Sequence, residues 1–282
     1  MPLNATLFPS CYFPEGSFAP ITIPSAVVDE VSKGGPTHTM TGFHDGMPEA
    51  FETVESGNLK IVRSPEHAEK MIAFATSTKG DKKTGLIVFG RKALTNFGRS
   101  DVDLVPGVNV YCSEQLFKLC CASAHSSDQN LHKVMLAILM ASKPFDAKKA
   151  TFGLEKFDPE MWDAQSPQAM FLSTLMRCKH EPTFRMFKQC IGMMRSEGVT
   201  SFLVIEANND NLWGINRFTK PFLDALCADS EADQDLIAAA LKQFDGVNQL
   251  GTVLTDFMLA IEGMEYGDYM AALEGVEFAV VA

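Results

Sequence analysis

Glu114 directly follows Ser113 at the head of an apolar helical stripe, and this is where residue type and spacing first suggest chemistry. A helix start leaves backbone amides free and favours negative charge, so a carboxylate there acts in its ionised form beside amides that can receive an anionic ligand. The plainer alternative is an exposed acid favoured by the helix dipole, with Ser113 as an ordinary N-cap. A second group lies far along the chain. Asp210 either accepts hydrogen bonds from a ligand or closes an Asx turn. Trp213, followed by Gly214, offers a flat face for stacking a base or simply fills a core. Gly246, Asn248 and Gly251 open another amphipathic helix, where they can present amides to a phosphate or form a Gly/Asn turn.

The elements that must position these residues read as mainly α-helical with a few β-strands. Leu116, Phe117, Leu119, Cys120 and Ala124 stripe one helix face, and Leu131, Val134, Met135, Ile138 and Leu139 stripe the next. Further helices are expected over residues 167–178 and 184–194, the latter stopped by Gly198, and at about 220–228, 232–244 and 247–262. Residues 200–206 form a β-branched, apolar run that predicts a buried strand. Ahead of them, residues 1–63 are rich in Pro, Gly, Ser and Thr with short extended runs at 21–23 and 59–62. Ser64, Pro65 and Glu66 make a helix start, with that helix running to about Ser77. The charged, Gly-containing stretch 79–83 precedes an alternating run at 86–89 and marks a boundary. The expected organisation is a small mixed N-terminal extension (1–84), a compact helical domain (85–262) and a C-terminal tail or short helix (263–282).

With 282 residues, 46% of them hydrophobic, the chain can bury a sizeable core. Its formal charge of −11 repels polyanions, so a small nucleotide fits better than nucleic acid, and modified nucleic acid is disfavoured on the same ground. Arg177, Lys179, Arg185, Lys188 and Arg195 form a local basic cluster, read chiefly as a solvated helix face. The seven cysteines lack paired spacing, which suggests reduced thiols buried as small hydrophobes. The six histidines show no zinc-ligand spacing, so no metal and no other cofactor is expected. No apolar run approaches the ~20 residues of a membrane span, and no secretory signal is visible. These features predict a cytoplasmic protein. Oligomeric state is not encoded in any of them.

Four short patterns, in order, resemble the NADAR family of riboflavin-biosynthesis-associated N-glycosidases and ADP-ribosyl-guanine hydrolases. Leu94, Thr95, Asn96 and Phe97 resemble its Leu-Ser-Asn-Phe turn, and Ser113, Glu114 and Gln115 its Ser-Glu-His helix opening. Pro144, Ala147, Lys148, Trp162, Asp163, Met170, Arg177, Phe184 and Arg185 follow its central helical spacing. Asp210, Trp213 and Gly214, then Gly246, Asn248, Leu250 and Gly251, match its DxxWG and GxNxLG ending, with 31 residues between Gly214 and Gly246 suggesting an inserted helical segment. The resemblance spans about two thirds of the chain.

It implies hydrolysis of an N-glycosidic bond in a phosphoribosylamino-pyrimidine or an ADP-ribose derivative. Breaking such a bond builds positive charge on the ribose carbon, which a fixed carboxylate stabilises while another group orients water. Glu114 leads for that role with Asp210. Asn96, Phe97, Ser113, Gln115, Cys121, Trp213, Gly214, Gly246, Asn248 and Gly251 are the expected substrate contacts. Two positions depart from the pattern. Gln115 replaces the usual histidine, and Cys121 stands where the family commonly has a lysine. Lys118, one turn earlier on nearly the same face, is the expected substitute for that amine. The departures leave a second reading open, a module that binds and sequesters an ADP-ribose-derived nucleotide without turnover. A third is a structural or interaction protein with a vestigial pocket. Lys118 directed at Glu114 favours the enzyme; a pocket lined by Gln115 and Cys121 alone favours the binder.

Overall fold

Pro106 and Gly107 form a turn that the helical reading passes over, and it organises the centre of the chain. Gly107 has φ +84°, a conformation side chains resist, and a Cβ there would come within 2.6 Å of the Ser32 hydroxyl. The turn joins β4 (Arg99–Val105) to β5 (Val108–Cys112), an antiparallel pair whose inward residues Val102, Leu104, Val108 and Val110 are buried. The computed structural model describes residues 5–14, 21–34, 61–63, 70–75, 94–196, 198–205, 212–214, 248–274, 276 and 278–281. Two compact units make up the chain. The first comprises Met1–Asp45, Asn96–Arg185 and Ala260–Ala282, and the second Gly46–Thr95 and Met186–Leu259.

The first unit is mostly helical. Strand β1 (Thr22–Pro24) leads into α1 (Ser25–Lys33), and β5 passes straight into α2 (Ser113–Ala124). Then come α3 (Leu131–Leu139), α4 (Pro144–Ala150) with a 3-10 turn over Thr151–Gly153, and α5 (Pro159–Arg177). The stripes on α2 and α3 are the ones expected, and Leu116, Leu119, Met135 and Ile138 are fully buried. Helix α5 starts eight residues before the expected 167, because Asp158 accepts the Met161 amide at 3.0 Å and Pro159 occupies the first turn. Pro167 does not break it. Trp162 before it and Ala169, Met170, Phe171 and Leu172 after it are all buried, so tertiary packing offsets the local cost.

The division into units does not follow the boundary at residue 84. Leu7 and Phe13 are fully buried, and Tyr12 stacks on Phe171 at 4.7 Å with Phe13 edge-on at 5.7 Å. Each such apolar side chain contributes roughly 1.5–3 kcal/mol when buried, so the N-terminal residues form core here. The C-terminal stretch likewise belongs to this unit. Helix α8 (Tyr266–Ala272) donates the Tyr269 hydroxyl to the Leu175 carbonyl and the Tyr266 hydroxyl to that of Lys179, satisfying carbonyls at the end of α5. Strand β7 (Ala279–Val281) pairs parallel with β1, Thr22 opposite Ala279.

The second unit holds a three-stranded sheet in the order β2 (Ile61–Arg63), β3 (Lys70–Ala75), β6 (Val199–Ile205). β2 and β3 are antiparallel, whereas β3 and β6 are parallel. This corrects the helix expected over 64–77: residues 70–75 are a strand, because pairing on both edges satisfies their backbone groups and overrides the local start signal. The strand expected at 200–206 is β6. Helix α6 (Glu181–Ser196) covers the expected 184–194, with the Gly198 amide donating back to the Arg195 carbonyl at 3.2 Å. Helix α7 (Gln249–Ile261) matches the stretch expected near 247–262, and its Phe257 meets Phe187 edge-on at 5.2 Å. The elements expected at 86–89, 220–228 and 232–244 lie outside the described residues.

Candidate functional site

The site takes shape where α2 begins. β5 delivers the chain at Cys112 in extended conformation, and the turn before β4 lies against the helix start, with the Glu114 amide donating to the Asn96 carbonyl at 3.0 Å. The Asn96 side-chain amide then points at the Glu114 carboxylate, its nitrogen 3.4 Å from Oε2 and 3.2 Å from the Met170 sulfur. Glu114 is 5% exposed. An ionised carboxylate so withdrawn from water is costly unless paired. Lys118, four residues on, places Nζ 3.9 Å from the other oxygen, Oε1, and 5.0 Å from the centroid of the Phe117 ring. One oxygen thus faces a neutral amide and the other a cation.

Cys121 is buried one turn beyond Lys118, and burial pushes its thiol up to about 11 despite the nearby ammonium, with Glu114 acting in the same direction as burial. It is a neutral thiol at physiological pH, not a nucleophilic thiolate. Cys112 is pushed up to about 12, again chiefly by burial. Arg177 is a buried guanidinium whose proton affinity is lowered by burial. It is therefore not part of a solvated basic face. Arg185 is, pairing with Glu181 at 2.6 Å.

Two expected site residues are committed to structure. Gln115 is fully buried and turned away from Glu114; its oxygen accepts the Tyr111 amide at 2.7 Å and its nitrogen donates to the Ile138 carbonyl at 3.1 Å. It ties β5 to the end of α3. Ser113 lies inside the helix, with Cys112 at the N-cap position, and its hydroxyl donates to the Ser173 carbonyl at 3.4 Å instead of capping. Phe97 is half-buried in the Asn96 turn.

No protein-family model matches the chain, and no curated protein matches it either.

In the second unit the GxNxLG residues have a mechanical role. Asn248, at φ +50°, accepts the Val204 amide at 2.9 Å and donates to the Phe202 carbonyl at 2.8 Å, so its side chain acts as a short strand on the edge of β6. Gly251 lets the first turn of α7 press on that edge, since a Cβ would fall well inside contact distance of the Phe202 carbonyl oxygen. The amides of Gln249 and Leu250 donate to the carbonyls of Leu212 and Trp213, each at 3.0 Å, so both are already taken rather than offered to a phosphate. Trp213 is half-buried and Gly214 buried in that docked turn. Asp210 and Gly246 lie outside the described residues.

Asn96, Glu114 and Lys118 are thus brought together in the first unit with Cys121 nearby. Met170 as the second acceptor of the Asn96 amide was not legible, because nothing in residue spacing marks a thioether as a hydrogen-bond acceptor. Among the described residues, no three His, Cys, Asp or Glu side chains gather as metal ligands, and no helix is long and apolar enough to cross a membrane.

Proposed function

We propose that this chain is an N-glycosidase that hydrolyses an ADP-ribose-type or phosphoribosyl N-glycoside, with Glu114 at the reacting centre in a NADAR-like helical domain. The observation that carries the reading is the Asn96–Glu114–Lys118 arrangement: a nearly buried carboxylate held between an amide and an ammonium at a helix start. In the reaction the bond from the ribose C1′ to the base nitrogen breaks, water adds to C1′, and the nitrogen leaves with a proton. Glu114 stabilises the cationic carbon as the bond opens. Lys118 supplies positive charge and a proton beside the leaving group or ribose oxygen, taking the place of the amine that Cys121 lacks. The same chemistry supports a small nucleotide as partner, and the negative charge of the chain disfavours polyanionic nucleic acid in its place.

The test is incubation of the purified protein with ADP-ribose, ADP-ribosylated guanosine, cyclic ADP-ribose isomers and a phosphoribosylamino-pyrimidine, following mass change and heat of binding. A released base supports the proposal and names the substrate. Saturable binding without product makes the chain a nucleotide-sequestering module, and the absence of both removes the nucleotide reading.

A further inference from the structure

A cleft of about 270 Å³ opens in the first unit between β1, the C-terminal half of α2 and the N-terminal half of α5. It is separate from the Glu114 site: Ser123 on its wall is nine residues from Glu114, about 180° around the helix at 100° per residue. Its floor is apolar, made by Ala124, Ala169, Leu172 and the buried Trp162, whose ring packs on Phe117 at 5.1 Å. Its rim is polar and uncharged: Thr22, Ser123, Ser126, Gln165 and Gln168. The Ser123 oxygen accepts the Thr22 amide at 3.2 Å, which leaves its own hydrogen to donate. Gln165 and Gln168 stand one turn apart on α5, and neither side-chain amide has a hydrogen-bond partner among the described residues.

No lining side chain carries a charge, so nothing there repays the desolvation of a phosphate, carboxylate or ammonium. Primary amides present a donor and an acceptor side by side, the pattern that pairs with the edge of a nucleobase, while the apolar floor suits the ring. The volume lies just below the ~300–1,000 Å³ usual for ligand sites, which admits one or two fused rings and not a whole nucleotide. We infer that this cleft is a binding site for an uncharged, planar nucleobase-type heterocycle, held at its edge by Gln165 and Gln168. It does not depend on the hydrolytic reading of Glu114.

Calorimetric titration of the full chain with adenine, cytosine and uracil, with glucose and inorganic phosphate as controls, tests it. Saturable binding of at least one base is expected, weakened tenfold or more by Gln168→Leu, which removes the amide, and by Ala124→Leu, which fills the floor. Both variants should keep the parent unfolding midpoint, and Glu114→Gln should bind the base as the parent does. The assignment fails if no base binds, if glucose or phosphate binds in its place, if base binding survives both cleft substitutions, or if it is lost in Glu114→Gln.

Discussion

The Lys118 ammonium lies 3.9 Å from the Glu114 carboxylate on one face of α2, both side chains largely withdrawn from water. Each makes the other tolerable in that setting, so neither substitution acts alone, and the helix sets the spacing for both.

Glu114→Gln keeps shape and the Asn96 contact but removes the charge that would meet a cationic ribose carbon. Hydrolysis should fall by roughly 10²-fold or more while nucleotide affinity stays close to that of the parent. Product formation by mass spectrometry and binding by calorimetry check the two halves. A collapse of folding, seen as loss of the unfolding transition, would instead give Glu114 a structural role.

Lys118→Met leaves the carboxylate with the Asn96 amide alone. Turnover should drop at least tenfold, with Lys118→Arg recovering part of it. The double variant with Glu114→Gln should be more stable than the sum of the singles by about 1 kcal/mol, measured by urea unfolding. Strict additivity would mean that the pair is not coupled.

The helices of the first unit were readable because each carries an apolar stripe at helical period, as in Leu116, Leu119 and Cys120. Asn96 and Glu114, singled out together in the sequence, do lie side by side, and the closeness of Lys118 follows from helical arithmetic. Strand β3 was hidden because its partner β6 lies more than a hundred residues away, and no local pattern announces a parallel pairing. The hairpin of β4 and β5 did leave a signal, the Pro106–Gly107 turn between alternating apolar residues. Gln115 was misleading for another reason: its neighbours in sequence suggested a ligand contact, but its 100° offset from Glu114 aims it at α3.

Asn248→Ala removes two hydrogen bonds to β6 and puts alanine, which tolerates the left-handed region less well than asparagine, at φ +50°. It should destabilise by about 1–3 kcal/mol, and Gly251→Ala by a similar amount through overlap with the Phe202 carbonyl. Denaturant midpoints report both. If Asn248→Ala weakens phosphate-bearing ligands with no change in midpoint, the residue is a ligand contact and not a brace.

Cys112 and Cys121 are raised in the native state from 9.0 to about 12 and about 11, by burial foremost. The native state therefore holds these protons more tightly than the unfolded chain. Their contribution is complete below pH 9 and is lost as pH rises toward 11 and 12, so the unfolding midpoint should decline through that window. Alanine at both positions should flatten the decline. At pH 7.5, alkylation should reach the exposed Cys11 and spare both buried thiols, as peptide masses would show.

β1 and β7 pair although Thr22 and Ala279 are 257 positions apart. A growing chain cannot form that contact until Ala279 has been synthesised, so β1 must wait for its partner strand through translation of the whole intervening second unit. The first unit is therefore begun before the second and closed after it, although Tyr12 and Phe13 can meet Phe171 earlier, once residue 171 has been made.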